Sequence, residues 1–382
     1  MATPTLALAT ASVTKVFRDV VEQTTATITN APASTFLTTH HITIGGITND
    51  HVTVPGKTID IAIPTCIQTI QPDPNGYLPP GTCHAIWNYY PSFSAALAFT
   101  ILFGLLTCAH IYQAVAYRKK FCWVIVMASF WETIAYVFRT ASTRYQQNTG
   151  VYLVFQVFIL LSPLWVNAFA YMVLARMIHF FLPSHKVYNI PAPVLAAGFV
   201  TLDFVAFVVQ LVGGSLAGPM APADEKLRAI HIYMGGIGLQ QCFIVVFVAF
   251  AARFHLEMRN SVHISPRTSL KSGWLPLLLT LYASLIFITI RIIFRLVEFS
   301  SGSTGVSNPL VTNETYFYVL EGTPMLLAIL AFNLIHPGSV LVGPESEMQG
   351  FFKTCLGLFR KKKQFRKLDE SSDTEEMSSL HV

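Results

Sequence analysis

Seven long apolar runs, separated by short polar stretches, dominate the chain from residue 92 onward. Each run holds about 20 residues, enough for one helix to cross the roughly 30 Å hydrocarbon core of a bilayer. The pattern predicts seven membrane-spanning helices, at about 92–116, 121–139, 151–178, 193–212, 231–253, 274–297 and 315–336. We therefore expect an all-α integral membrane protein with a seven-helix bundle at 91–338, between a polar N-terminal segment, 1–90, and a polar tail, 339–382.

Composition strengthens this prediction. Of the 382 residues, 53% are hydrophobic and 12% are charged, whereas a soluble domain carries about 25% charged residues. The composition excludes an ordinary soluble domain and gives no indication of a nucleic-acid partner. Leu6–Ala9 is too short for the apolar part of a signal peptide, so the first apolar run is the expected targeting signal.

The distribution of positive charge predicts the orientation. Of the 25 Lys and Arg residues, 16 lie on the side of the predicted bundle that carries the C-terminus, and 7 lie on the side of the N-terminus. Positively charged loops stay in the cytoplasm. We therefore expect the N-terminus outside and the C-terminus in the cytoplasm.

The segment 1–90 is rich in Thr and contains alternating β-branched stretches at 51–54 and 58–63. These predict a small strand-forming or partly disordered extracellular segment. Cys66 and Cys83 are its two cysteines, and on an oxidising face we predict a disulfide between them; two unpaired thiols are the alternative. Asn313 begins the sequence Asn-Glu-Thr, which predicts N-glycosylation on the outer side.

The tail is basic first and acidic afterwards. Between residues 351 and 367, Lys and Arg alternate with Phe and Leu, a composition that favours binding to anionic lipid of the inner leaflet. A cluster that only fixes the membrane orientation explains the same residues. The acidic, Ser-rich end at 369–376 is typical of a disordered segment.

Charged side chains interrupt the sixth apolar run. Arg291, Arg295 and Glu298 have spacings of four and three, which place them on one face of a helix. An ionisable group inside a membrane costs roughly 2.5–3.5 kcal/mol on insertion scales, so it usually faces the bundle interior and finds a partner there. We expect these three residues to face partners on the other helices.

Other predicted spans supply such partners. In the predicted topology most of these groups lie in the outer half, with two acids nearer the middle: Glu132, Arg139, Gln156, Asp203, Gln210 and Glu321. One hypothesis is a ligand-binding or transport path that opens toward the exterior. The alternative is an ion-pair network that only holds the helices together. Four acids face three arginines, so pairing leaves about one acid free to meet a cationic amine on an amphiphile.

Two features of the runs concern backbone packing. Pro163 within the third run leaves carbonyl groups without their helical donors, and neighbouring polar groups can satisfy them. The glycine cluster Gly235–Gly238 indicates close packing of the fifth helix.

These residues, taken in order over seven spans, carry a resemblance. The pattern Glu132-x3-Tyr136-x2-Arg139, Asp203-x6-Gln210, Arg291-x3-Arg295-x2-Glu298, Glu321 and His336-Pro-Gly338 resembles the fungal RTA-like family of lipid-translocating exporters. The resemblance covers about residues 87–340, and the segments on either side lie outside it. Ala135 stands where the family pattern has a glycine beside the tyrosine.

The resemblance implies a plasma-membrane protein that exports sphingoid long-chain bases or gives resistance to sterol-like toxins. We therefore expect a transporter or translocase of amphiphilic lipids, not an enzyme, with no cofactor, metal or catalytic residue. The chain has no Walker sequence, so ATP coupling is not expected. A seven-helix receptor is one alternative. An intramembrane lipid hydrolase is another, with His110, His231, His336 and Asp203 as metal ligands.

Overall fold

The computed structural model describes residues 37–44, 47–49, 52–54, 57–64, 70–80, 82, 85–217, 223–264, 273–300, 309–343 and 348. The predicted disulfide between Cys66 and Cys83 and the basic tail segment 351–367 lie outside these residues. The chain divides into two units, one with the strands of the N-terminal segment and one with the helices. Residues 72–77 and 86–92 group with the helical unit.

The strand unit is built from antiparallel pairs. Strand β1 (Leu37–Ile44) pairs with β4 (Lys57–Pro64), and β2 (Ile47–Asn49) pairs with β3 (Val52–Val54). The two pairs form separate two-stranded sheets in the same register. The two alternating stretches noted in the sequence correspond to β3 and β4.

Within its described residues, the helical unit contains seven helices that are long and apolar enough to cross a membrane. They are α1 (Phe93–Tyr117), α2 (Trp123–Ser142), α3 (Thr149–Phe181), α4 (Ala192–Leu216), α5 (Ala223–Ile264), α6 (Trp274–Ser300) and α7, which lies within the span Glu314–Val340. The prediction of seven spans is confirmed. The largest difference is α5, which continues beyond the apolar run at both ends.

Local sequence signals explain where several helices begin. The side chains of Ser92 and Asn148 accept hydrogen bonds from backbone N–H groups in the first turns of α1 and α3. Pro191 immediately precedes α4 and ends a two-residue strand, β6 (Ile190–Pro191), paired with β5 (Lys186–Val187). Tyr188 and Asn189, both with positive φ, form the tight turn between these strands.

Helices that are neighbours in sequence pack against each other, and α7 closes the bundle against α1 and α6. Helix α3 packs against α2, α4, α5, α6 and α7, which makes it the central helix. Its buried side chains run from Phe155 to Phe181. The interior of the bundle is therefore arranged around α3.

Helix α7 is not uniform. A short helix, Glu314–Phe317, leads into a π-helical turn, Tyr318–Gly322, and then into an α-helix, Thr323–Leu334. Pro324 has no N–H to donate to the preceding turn, and the wider π turn precedes it directly. Single π turns occur frequently at functional sites. Here the turn carries Glu321.

Candidate functional site

The centre of the buried charge lies between α6 and α7. Arg295 donates two hydrogen bonds to Glu321, from Nε to Oε2 at 2.9 Å and from Nη2 to Oε1 at 3.0 Å. Its Nη1 donates to Oε2 of Glu298 at 3.0 Å. Glu321 has no exposed surface. The fork-like pairing of a guanidinium with a carboxylate fixes both side chains and therefore the register of α6 against α7.

Arg291 connects this pair to the central helix. Its Nη2 lies 2.5 Å from Oε1 of Glu321 and donates to the carbonyl oxygen of Ile159 in α3 at 3.1 Å. Ile159 lies four residues before Pro163, so its carbonyl has lost its helical donor to the proline. Arg291 replaces that donor, as the position of Pro163 suggested for a neighbouring polar group. The prediction that Arg291, Arg295 and Glu298 share an inward face is consistent with these contacts.

Arg139, at the end of α2, occupies an aromatic cage. Its guanidinium carbon lies between 4.2 and 5.9 Å from the centroids of five rings, those of Trp87, Tyr89, Phe155, Phe317 and Tyr318. Its Nη2 donates to the hydroxyl of Tyr89 at 3.0 Å and to Oε1 of Glu314 at 2.7 Å. Aromatic faces stabilise a desolvated cation by about 2 kcal/mol or more.

Glu314 and Tyr89 complete this cage from outside the predicted motifs. Oε2 of Glu314 accepts the backbone N–H of Ser92 at 2.7 Å, so one carboxylate binds both the beginning of α1 and Arg139. Burial raises the pKa of the Tyr89 hydroxyl, while the charge of Arg139 opposes that shift. A neutral phenol that accepts from Arg139 fits this environment.

Glu132 is one of two predicted acids that lie outside the described ion pairs. It has no exposed surface, and neither of its carboxyl oxygens has a hydrogen-bond partner among the described residues. The hydroxyl of Ser162 is close enough to the carboxyl to be a hydrogen-bond partner, but it donates its proton to the carbonyl of Ala128 at 2.9 Å. The charged groups that act on Glu132 are Arg291, Arg295 and Glu321.

Tyr136 follows Glu132 by one helical turn. Its ring stacks on Phe99 and Phe103 of α1, at centroid distances of 5.4 and 5.1 Å. Its hydroxyl, fully buried and without a hydrogen-bond partner in the described part of the chain, lies against Gly322 in the π turn. A methyl group at position 322 would overlap this hydroxyl.

Asp203 forms a second, separate polar group between α3 and α4. Its Oδ2 accepts from Asn167 Nδ2 at 2.9 Å and from the Tyr171 hydroxyl at 2.8 Å. Gln210 lies two turns further along the same face of α4 and donates to Gln240 of α5 at 3.0 Å. Among the described residues, no hydrogen bond joins Asp203 or Gln210 to the arginine pairs.

The remaining predicted site residue, Gln156, donates to the Tyr152 hydroxyl one turn earlier in α3, at 2.7 Å. The ten predicted residues therefore divide into a central cluster, the cage and smaller pairs. The central cluster consists of Glu132, Tyr136, Arg291, Arg295, Glu298 and Glu321. The expected pairing of four acids with three arginines differs from the structure, because Glu314 pairs with Arg139 and both Glu132 and Asp203 remain outside the described ion pairs.

The sequence did not predict that Glu314, Trp87 and Tyr89 contact Arg139. Along the sequence, Glu314 is only the middle residue of the Asn-Glu-Thr glycosylation sequence. The available signal was the position of Arg139 at the end of a span, where residues that flank other spans can reach it.

Two of the three histidines proposed as metal ligands for a hydrolase, His110 and His336, contact the backbone. His110 Nε2 contacts the carbonyl of Ile329 at 3.2 Å, and His336 Nδ1 accepts the N–H of Gly338 at 3.1 Å at the end of α7. Within the residues that the structure describes, no three His, Cys, Asp or Glu side chains are grouped so that they could hold a metal ion.

The fold and these contacts define an integral membrane protein with seven spans and a charged, hydrogen-bonded interior. The model of the family described as "RTA1 like protein" matches residues 125–343, more than half of the chain. The chain therefore belongs to the RTA1-like family, as the motifs indicated. No solved structure matches the chain.

Several curated relatives extend over most of the chain. "Probable lipid transporter atnI" of Emericella nidulans is 41% identical over 294 residues, which is 75% of this chain and 76% of that protein. "Lipid-translocating exporter-like protein RTA1" of Leptosphaeria maculans is 27% identical, covering 68% of this chain and 52% of that protein. "Sphingoid long-chain base transporter RSB1" of Saccharomyces cerevisiae is 23% identical, covering 68% of this chain and 75% of that protein.

Proposed function

We propose that this protein moves amphiphilic lipids, such as sphingoid long-chain bases or sterol-like toxins, across the plasma membrane without changing them chemically. The names of the relatives support transport of lipids. The observation that carries the proposal is the cluster of charged residues buried inside a seven-helix bundle, Arg291, Arg295, Glu298 and Glu321.

The energetics of this cluster favour a functional role. Replacing a buried ion pair by apolar groups is often neutral or stabilising, so a pair of this kind is weak evidence for stability alone. Ionisable groups inside a membrane typically mark a path for substrates or ions. A polar headgroup that crosses the bilayer needs such groups along its way, while its hydrocarbon chain stays in lipid or between helices.

The location of the path follows from the proposed orientation. If the N-terminus is outside, the cage around Arg139 and the pairs of Arg295 lie toward the exterior, and Glu132 lies deeper. We propose that the headgroup binds along the central cluster, with Arg139, Gln156, Asp203 and Gln210 lining or supporting the path. In this orientation the sequence at Asn313 also faces the exterior, as glycosylation requires.

The first prediction tests this function in liposomes that contain the purified full-length protein. The protein should accelerate the crossing of a long-chain sphingoid base between leaflets, with the base recovered unaltered. Arg291→Ala should reduce this crossing at least about tenfold, because it leaves Glu321 without one partner and Ile159 without its donor, at a cost of about 3–5 kcal/mol.

Arg253→Ala is the matched control. Arg253 forms an exposed pair with Glu257 in α5, and such pairs contribute only about 0.3–0.5 kcal/mol. Its crossing rate should equal that of the wild type. Absence of crossing with the wild-type protein would favour a receptor over a translocase, and recovery of a chemically changed base would identify an enzyme.

A further inference from the structure

We propose that Glu132 is a proton-binding site, and that its charge determines whether Arg291 remains bound to Glu321 or moves to Glu132. This inference rests on the proposed function, because it names how the transport path is coupled to the aqueous phase. It starts from the unpartnered carboxyl of Glu132, which is completely buried in the middle of α2.

The neighbours of Glu132 define what its charge can act on. Helix α3 presents Ser162, α6 presents Arg291 and Arg295, and α7 presents Glu321. Tyr136 follows on α2 itself. Helix α1 faces α2 at this level with Thr107, whose hydroxyl lies 3.0 Å from that of Thr133, and its His110 is bound to the backbone of α7.

Arg291 has an unused hydrogen-bond donor that complements the acceptors of Glu132. Its Nε is buried and has no hydrogen-bond partner among the described residues, while its Nη2 contacts Glu321 and the carbonyl of Ile159. A free donor on Arg291 and two free acceptors on Glu132 therefore lie in one electrostatic cluster without being paired. An arrangement of this kind corresponds to a neutral carboxylic acid at position 132.

Loss of the proton changes the balance. The carboxylic acid releases H⁺ to water and becomes a carboxylate, which carries a full negative charge in a buried site. Such a charge is costly until it acquires a hydrogen-bonded partner. Arg291 is the candidate, because its Nε is an unused donor within the described residues. Glu321 can release it because Arg295 still holds Glu321 with two hydrogen bonds.

The movement of Arg291 has a consequence for α3. The carbonyl of Ile159 depends on Arg291 for its hydrogen bond, because Pro163 cannot donate one. When Arg291 leaves, the proline bend of the central helix loses its stabilising contact. Protonation of Glu132 restores that contact, so one proton switches the central helix between two arrangements.

A cationic headgroup is the competing ligand for Glu132. The complete burial of the side chain favours the proton, because a headgroup reaches the carboxyl only after the helices separate. Binding of an amine at this position is therefore an outcome that the experiment must distinguish. If an amine binds there, Glu132→Gln should lose transport of the amine and retain transport of an amphiphile with an uncharged headgroup.

The experiment compares the wild type with Glu132→Gln, which keeps the shape of the side chain and cannot titrate. Glu257→Gln, an acid of α5 that pairs with Arg253 near the surface, is the control. Infrared difference spectra of the full-length protein in lipid nanodiscs, recorded between about pH 5 and pH 9, should show a protonated-carboxyl band. This band should be absent in Glu132→Gln and retained in Glu257→Gln.

The second measurement is the rate of crossing of the sphingoid base at equal pH on both sides of the liposome. A step limited by one protonation changes in rate by up to about tenfold per pH unit. The titration of the base itself is common to all variants. Glu132→Gln should therefore flatten the protein-dependent part of the profile, and Glu257→Gln should retain it.

Three results would overturn the proposal. The first is a carboxyl band that persists unchanged in Glu132→Gln. The second is a pH profile that this substitution leaves intact. The third is a variant that still moves an amphiphile with an uncharged headgroup but no longer moves the amine, which would make Glu132 a headgroup ligand. If the wild type moves no amphiphile, the proposed function fails, and the infrared band still decides whether Glu132 binds a proton.

Discussion

At the scale of single residues, Arg139 shows how a membrane protein accommodates a buried cation. Its positive charge is met by Glu314 on one side and by the faces of five rings on the others. The rings come from the segment before α1, from α3 and from α7. One side chain of α2 therefore organises three other parts of the chain.

This arrangement predicts that Arg139→Lys destabilises the protein. A lysine lacks the planar guanidinium that stacks on several rings while it donates to Glu314 and Tyr89. We expect a loss of about 2–4 kcal/mol, seen as a lower thermal midpoint of the purified protein in detergent.

Arg144→Lys is the control for this substitution. Arg144 lies 4.4 Å from the ring of Phe93 but is exposed, where a cation–π contact contributes only about 0.5–1 kcal/mol. Equal midpoints for the two variants would show that the cage contributes nothing special to stability.

The residues of the central cluster and of the Arg139 cage differ in how far the sequence reveals them. Spacings of four and three predict the common face of Arg291, Arg295 and Glu298, because helical geometry alone decides it. The partner of Arg139 is different. Glu314 is distant in sequence by 175 residues, and only the meeting of two helix ends brings the two together.

At the scale of elements, the contact between α4 and α5 depends on individual glycines. A Cβ atom at Gly236 would lie 2.9 Å from the backbone nitrogen of Gln210, and one at Gly213 would overlap the backbone of Tyr233. Gly235 and Gly238 have open space around them. The glycine cluster thus predicted close packing correctly, but only one of the three glycines makes the contact.

The pair Gly235 and Gly236 offers a matched test. Gly236→Ala should force α4 and α5 apart and cost about 1–3 kcal/mol, because two of the three nearest atoms, the nitrogen of Gln210 and the oxygen of Ala206, are backbone and cannot rotate away. Gly235→Ala should leave stability unchanged or raise it by up to about 1 kcal/mol, since alanine favours a helix. Thermal midpoints of the two variants in the same detergent decide the matter; a loss at position 235 alone would contradict the observed packing.

The π turn of α7 marks the limit of pattern reasoning at this scale. Apolar periodicity predicts a helix over 315–336 and gives no sign of the extra residue in one turn. Pro324 is a partial signal, because it removes a hydrogen bond from the helix interior. The helix can adapt to this lost hydrogen bond in more than one way. The form seen here depends on the packing of Tyr136 and Phe99 against Gly322, which is a tertiary contact.

At the scale of the whole molecule, the seven spans were predictable because the thickness of the bilayer fixes the length of each apolar run. The order in which the helices pack is less accessible. The central position of α3 and the closure of α7 against α1 follow from contacts between distant parts of the chain. The sequence indicates that charged residues are buried, and the packing determines which of them meet.

The proposed orientation gives a prediction for the full-length protein in cells. Asn313 is exposed, and its side chain accepts the N–H of Thr315 at the beginning of a short helix. With the N-terminus outside, the protein should carry a glycan that a glycosidase removes with a shift in gel mobility. Thr315→Ala should abolish that shift while it keeps the hydrogen bond of Asn313, which Asn313→Gln would disturb.

A tag at the C-terminus provides the independent check of orientation. It should be accessible to antibody only after the membrane is permeabilised. A tag accessible on intact cells, together with an unglycosylated Asn313, would reverse the orientation and place the cage of Arg139 toward the cytoplasm.

Glu314 finally has a consequence for how the chain is made. Its carboxylate binds the N–H of Ser92, 222 residues earlier, and the guanidinium of Arg139. In the order of synthesis, this acid comes after the six preceding spans. Until it is made, α1 lacks this contact and the guanidinium of Arg139 lacks its carboxylate partner. A chain that terminates before residue 314 therefore keeps an unneutralised cation at the end of α2.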